Sequence, residues 1–140
     1  MTASALVGQI LSSRYRIVKL LGEGGMGAVY EAQHVHLDKR VVVKTLHDDL
    51  ACDKVAGKRF RREAWATARI EHPNIVRVTD VDVHEERLAY FEMEYLPGEG
   101  LAQTLAREGP LPWPRVRKIG LQICSGLVAT HAQKVIHRDL

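Results

Sequence analysis

The sequence has no run of eighteen consecutive apolar residues, and its first fourteen residues lack a charged segment followed by a long apolar core. Neither membrane crossing nor export is therefore expected, and the chain reads as soluble and cytoplasmic. Cysteine is scarce: Cys52 and Cys124 stand far apart, with no C-x-x-C pair and no Cys/His ligand spacing. They read as two reduced, inert thiols buried in separate places. The seven histidines form no H-E-x-x-H pattern, so no structural metal is expected. An excess of one charge is also missing, since 20 basic against 17 acidic residues leave only +3, too little to argue for nucleic acid or an anionic membrane. There is no internal repeat and no low-complexity segment. What remains is ordinary globular composition, 46% hydrophobic and 26% charged in 140 residues, enough for one core but not for two full domains.

What the chain does have is glycine in one place. Gly22-Glu23-Gly24-Gly25-Met26-Gly27-Ala28-Val29 carries glycines at the first, third and sixth positions, where side chains would keep backbone N–H groups away from anionic oxygens. The same G-x-G-x-x-G spacing serves dinucleotide-binding units, but there it follows a strand and opens a helix. Here both flanks favour extension, Tyr15 to Leu21 before the glycines and Val29 to Ala32 after them, so the loop is expected to cap a hairpin. A polar turn, His36 to Arg40, then leads to a third strand, Val41-Val42-Val43, that ends in Lys44.

Further along, a helix is expected roughly from Lys54 to Ile70, with Phe60, Glu63, Thr67 and Ile70 at helical spacing on one face. Glu63 is the single acid among Lys58, Arg59, Arg61 and Arg62; alone it could be no more than one partner of an exposed charge pair. Proline in Glu71-His72-Pro73-Asn74 ends the helix, Ile75 to Val78 reads as a strand, Asp80 to Arg87 as a turn, and Leu88 to Leu96 as a fifth extended segment closed by Pro97-Gly98. Leu101 and Leu105 then suggest a short helix stopped by Gly109-Pro110. A longer helix begins near Pro112-Trp113-Pro114, with Val116, Ile119, Ile123, Leu127, Val128 and His131 along one stripe. A strand Val135-Ile136 is expected before His137-Arg138-Asp139-Leu140.

Taken in order, the glycine loop with its trailing valine, the strand lysine, the helix glutamate, the segment after Met93 and the His-Arg-Asp-Leu ending resemble the protein kinases, most closely the bacterial eukaryotic-like serine/threonine kinases. The resemblance runs from Tyr15 to Leu140. It implies an α+β fold: a small lobe with a five-stranded antiparallel sheet and one regulatory helix, followed by the first helices of a helical large lobe. Residues 1–14 would be an N-terminal extension, 15–96 the small lobe with its hinge, and 97–140 the beginning of the large lobe. The resemblance further implies that the backbone of Gly22 through Val29 (Glu23, Gly24, Gly25, Met26, Gly27 and Ala28 included) covers the phosphates of ATP. Lys44 would contact the α- and β-phosphates, held by Glu63. Leu21, Val29 and Val42 would form the apolar lid over adenine, with Met93 as gatekeeper and the backbone of Glu94 and Leu96 at the purine edge. Val42 stands where V-A-I-K places alanine, which narrows the pocket by two methyl groups. Asp139 would orient the substrate hydroxyl and accept its proton, with His137 under the loop and Arg138 set to pair with a phosphorylated segment.

By the same resemblance, the protein ligands of Mg2+ fall after Leu140, so no metal ligand is assigned within these residues, and phosphoryl transfer by these residues alone is expected to be weak. The helix stripe from Val116 to Val128 is expected to lie exposed and to offer a surface to a protein partner. The expected partners are ATP and protein substrates with Ser or Thr hydroxyls; nucleic acid is not expected, because the short basic cluster at 58–62 lacks interleaved aromatics. The alternative reading is a non-catalytic nucleotide-binding or interaction module derived from a kinase.

Overall fold

The computed structural model describes residues 3–25, 27–46, 60, 62, 65, 68–85 and 87–136, which divide into two units: Met1–Arg69 with Val76–Tyr95, and Ile70–Ile75 with Leu96–Leu140. The first unit is a six-stranded antiparallel sheet: β1 (Ile10–Leu11), β2 (Tyr15–Gly24), β3 (Gly27–His34), β4 (Lys39–Leu46), β5 (Val78–His84) and β6 (Leu88–Glu94), in the order β1-β2-β3-β4-β6-β5. Alternation of side chains places Tyr30 and Ala32 of β3, Val41 and Val43 of β4 and Tyr90 of β6 on one face, all at most 1% exposed. The opposite face carries a smaller cluster of Leu46, Phe60, Val78 and Phe91. Phe60, Arg62, Trp65 and Ala68 are helical, and the Phe60 ring lies 5.1 Å from that of Phe91.

The sheet has one strand more than the five expected. The extra strand, β1, comes from the stretch read as an extension: Leu11 pairs with Tyr15, and Leu6, on a 3-10 turn at Ala3–Leu6, is buried in the same cluster as Leu11. A two-residue strand has no period to read, so it left no sequence signal. The expected strand at Ile75 to Val78 and turn at Asp80 to Arg87 are also corrected, because β5 runs from Val78 through His84. Aspartate is depleted in strands, which masked a real alternation. Asp80, Asp82 and His84 pair with Glu92, Tyr90 and Leu88. Their acids are neutralised on that face: Arg14 bridges Asp80 at 2.7 Å and Asp82 at 2.6 Å, and the buried Tyr15 hydroxyl lies 2.8 Å from Asp80 and 3.1 Å from Glu92. Burial, with those two carboxylates, pushes the Tyr15 phenol far above its ordinary range.

In the second unit, α1 (Leu101–Glu108) starts at Gly100, whose N–H donates to the Gln103 side chain at 3.0 Å. It stops at Gly109, where φ is +74° and the N–H returns to Leu105 O at 2.9 Å. The helix α2 (Trp113–Ala132) opens with Pro114 in its first turn. The segment 70–75 packs on it: His72 Nε2 is 3.0 Å from Ser125 Oγ, and a Cβ on Gly126 would stand 3.1 Å from Asn74 O. Gly126 is the buried residue of α2, while Val116, Ile123 and Val128 are exposed, the last at 71%. Cys124 is a free thiol but exposed rather than buried, because its helix face carries no cover among the described residues; Cys52 lies outside them. Val135 and Ile136 form no strand. Lys134 takes φ +59°, and Val135 N–H caps Thr130 O at 3.0 Å, so helix termination uses the backbone that a strand would have needed.

Candidate nucleotide site

The glycine-rich segment is the β2–β3 hairpin itself. Gly24 pairs with Gly27, Gly25 lies in a turn, and Met26 is outside the described residues. Its glycines divide into two kinds. A Cβ on Gly27 would fall 1.8 Å from Thr45 O, so glycine there is demanded by the close approach of β4. A Cβ on Gly22, Gly24 or Gly25 would meet nothing within 4 Å, and none of the three has the positive φ that requires glycine. Folding of the described residues does not ask for a bare Cα at those three positions, because the space a Cβ would take at each is open.

Register then carries the pattern across the sheet. Gly22, Val29, Lys44 and Phe91 form one cross-strand row, and Glu31, Val42 and Met93 the next, all on the face opposite the main core. Val42 is 9% exposed, whereas Val29, Lys44 and Met93 are half-buried. Lys44 Nζ lies 5.6 Å from the centre of the Phe91 ring, whose negative π-face favours the ammonium. Pairing on β2 slips between Leu20 and Gly22, and this bulge turns Leu21 outward, 47% exposed. Ala28 points into the core, so only its backbone and that of the exposed Glu23 are available to this side. At the end of β6, Glu94 N–H donates to Arg77 O at 3.0 Å, and its carboxylate accepts from Arg77 N–H at 2.7 Å. Leu96 belongs to the second unit and is 57% exposed. Glu63, Asp139, His137 and Arg138 lie outside the described residues.

Beside this surface the structure groups three charges that the sequence reading passed over. Glu31, its side chain 10% exposed, lies 3.2 Å from Lys19 Nζ and 3.3 Å from Arg40 Nε, and the Arg40 guanidinium sits 4.8 Å over the Tyr95 ring. The available signal was positional: Glu31 is two residues from Val29 and Arg40 two from Val42, so both share the face of those two valines. No group of three potential metal ligands occurs among the described residues.

Known proteins match this arrangement. Residues 15–140 match the protein kinase domain family. The chain is 44% identical over 134 residues to the serine/threonine-protein kinase Pkn3 of Myxococcus xanthus, covering 96% of this chain and 24% of that protein. It is 38% identical over 135 residues to the serine/threonine-protein kinase PrkC of Bacillus subtilis, covering 96% of this chain and 21% of that protein. The crystal structure of the Mycobacterium tuberculosis PknI kinase domain superimposes with a TM-score of 0.78 at 30% identity, covering 100% of this chain and 56% of that one. The chain thus spans about a quarter or less of the curated relatives it matches. With hairpin, strand lysine and sheet order in place, a match over nearly its whole length shows that this chain belongs to the protein kinase domain family.

Proposed function

We propose that this chain is the nucleotide-binding part of a cytoplasmic serine/threonine protein kinase, acting in transfer of the γ-phosphoryl group of ATP to protein hydroxyls. Residues 15–96 would form the small lobe and hinge, and 97–140 the start of the large lobe. The observation that carries this is the contrast among the hairpin glycines: Gly22 and Gly24 open outward where neither packing nor φ asks for glycine. With no side chain in the way, phosphate oxygens of ATP can approach the backbone there closely. Lys44, in the same cross-strand row as Gly22 and Val29, supplies a cation at the α- and β-phosphates. Val29, Val42 and Leu21 cover the base, Met93 closes its rear, and the backbone at Glu94 and Leu96 meets the purine edge. Glu63 holds Lys44, and Asp139 orients the acceptor hydroxyl and takes its proton. Mg2+, when bound with ATP, neutralises charge on the transferring phosphoryl group. The exposed Val116 to Val128 side of α2 is offered to protein.

The test is titration of the chain with a fluorescent ribose-labelled ATP analogue. Saturable binding displaced by ATP, and weakened about tenfold or more by Gly24→Val or Lys44→Met, is expected, in line with charge-assisted contacts to phosphate. Wild-type chain that gives no saturable signal overturns the reading.

A further inference from the structure

We infer that Arg40, aimed by Glu31, is a positioning residue for the purine-reading backbone, acting through its stack on Tyr95; the inference rests on the nucleotide site proposed above. The β4–β6 ladder ends at the pair Val41 and Glu94. One step further along the same register, Arg40 stands opposite Tyr95, which is no longer in a strand. There the guanidinium lies 4.8 Å over the Tyr95 ring, so a side-chain stack continues the pairing where backbone hydrogen bonds stop. The stack has a defined aim because Glu31 is nearly buried and holds Arg40 Nε at 3.3 Å while Lys19 takes the other carboxylate oxygen at 3.2 Å.

The consequence follows from how a base edge is read by main chain. Side chains can vary without changing such contacts, but a displaced backbone cannot keep them. Glu94 is anchored on its β5 side through Arg77. Arg40 supplies the second anchor, from the β4 side, at the residue immediately after Glu94. Arginine suits this role better than lysine, since its planar guanidinium stacks on a ring while its Nε remains available to Glu31.

The experiment compares two probes on the full chain, the fluorescent ATP analogue and inorganic tripolyphosphate as its competitor, the latter lacking a base. Arg40→Met and Tyr95→Leu should each weaken the analogue about two- to fivefold, the range of an exposed cation–π contact. Tripolyphosphate affinity should stay unchanged. Tyr95→Phe, which keeps a ring, should bind as wild type, and the double variant Arg40→Met with Tyr95→Leu should be no worse than either single change. Unchanged analogue affinity in Arg40→Met overturns the inference, as does equal weakening for both probes or simple additivity in the double variant. If Arg40→Met does not fold, Tyr95→Leu against Tyr95→Phe decides, and equal affinities there are fatal. Failure of the wild-type chain to bind the analogue would instead remove the underlying nucleotide site.

Discussion

The two faces of the first unit's sheet are finished to different degrees. One is closed, with Tyr15, Tyr30, Val41, Val43 and Tyr90 at no more than 1% exposure and its acids matched to Arg14 and Tyr15. On the other, among the described residues, Leu46, Phe60, Val78 and Phe91 cluster and Glu31 and Val42 are buried, while Val29, Lys44 and Met93 stay half-buried. The same strands build both faces, so the difference is not one of propensity. A face completed by its own side chains answers to stability, and a face left part-open by them is suited to a ligand. The hairpin repeats the contrast within six residues: a Cβ on Gly27 would collide with Thr45 behind it, whereas a Cβ on Gly22 or Gly24 would meet nothing within 4 Å.

The largest effect should therefore come from Gly27→Ala. Its Cβ would meet a backbone carbonyl at 1.8 Å, which no rotamer change relieves, so β3 must leave β4. A loss of about 3 kcal/mol or more is expected in urea unfolding, against about 0.5 kcal/mol or less for Gly22→Ala or Gly24→Ala. Comparable losses at all three positions would erase the distinction on which the proposed nucleotide site rests.

A second comparison keeps the chemistry constant. Val43→Ala removes two methyl groups from a site with no exposure and should cost about 2–3 kcal/mol, whereas Val29→Ala on the half-buried face should cost about 1 kcal/mol or less. Nucleotide affinity should respond in the opposite order, falling for Val29→Ala and holding for Val43→Ala. Parallel losses in both readouts would mean that the two faces do the same job.

How much of this was legible before folding depended on the length and purity of each pattern. Val41 to Lys44, Leu88 to Glu94 and α1 with its Gly109 stop were readable because apolar runs and stop signals agreed. The β2–β3 hairpin was readable from flanks that favour extension on both sides of the glycines. β5 was not, since aspartates in alternate places look like a turn until Arg14 and Tyr15, more than sixty residues earlier, are known to face them. Nor could the sequence divide Gly27 from Gly22, because the carbonyl that forbids a side chain belongs to another strand. The Arg40–Tyr95 stack was hidden for the same reason: only strand register puts these residues opposite each other.

The closed face can be probed more finely at its polar rim. Tyr15→Phe keeps the ring that packs edge-on to Tyr90 and removes only the hydroxyl shared by Asp80 and Glu92. Glu92 is 6% exposed, so it would lose a donor it cannot replace with bulk water. About 1.5–2 kcal/mol of stability should go, in the range for hydrogen bonds to charged groups, with nucleotide affinity untouched. A Tyr15→Phe chain as stable as wild type would show that the pair of carboxylates is satisfied some other way.

The smallest effect is the pH response of the same rim. The Asp82 carboxylate is held below its ordinary range, first by the N–H of Val83 at 2.8 Å and then, against its partial desolvation, by the guanidinium of Arg14. A group whose folded pKa is depressed contributes stability that is fully present above its unfolded value, near 3.8, and is lost as pH falls through the folded value. The side chain is 41% exposed, so solvent screening keeps its share below about 1 kcal/mol. Asp82→Asn should therefore lower stability slightly at pH 7 and flatten the descent below about pH 4, narrowing its gap to wild type as acid is added. The open face has no part in this, because Lys44 and the hairpin backbone lie across the sheet from Asp82. An Asp82→Asn chain whose acid unfolding runs parallel to wild type would show that Arg14 and the Val83 N–H hold the carboxyl no differently from solvent.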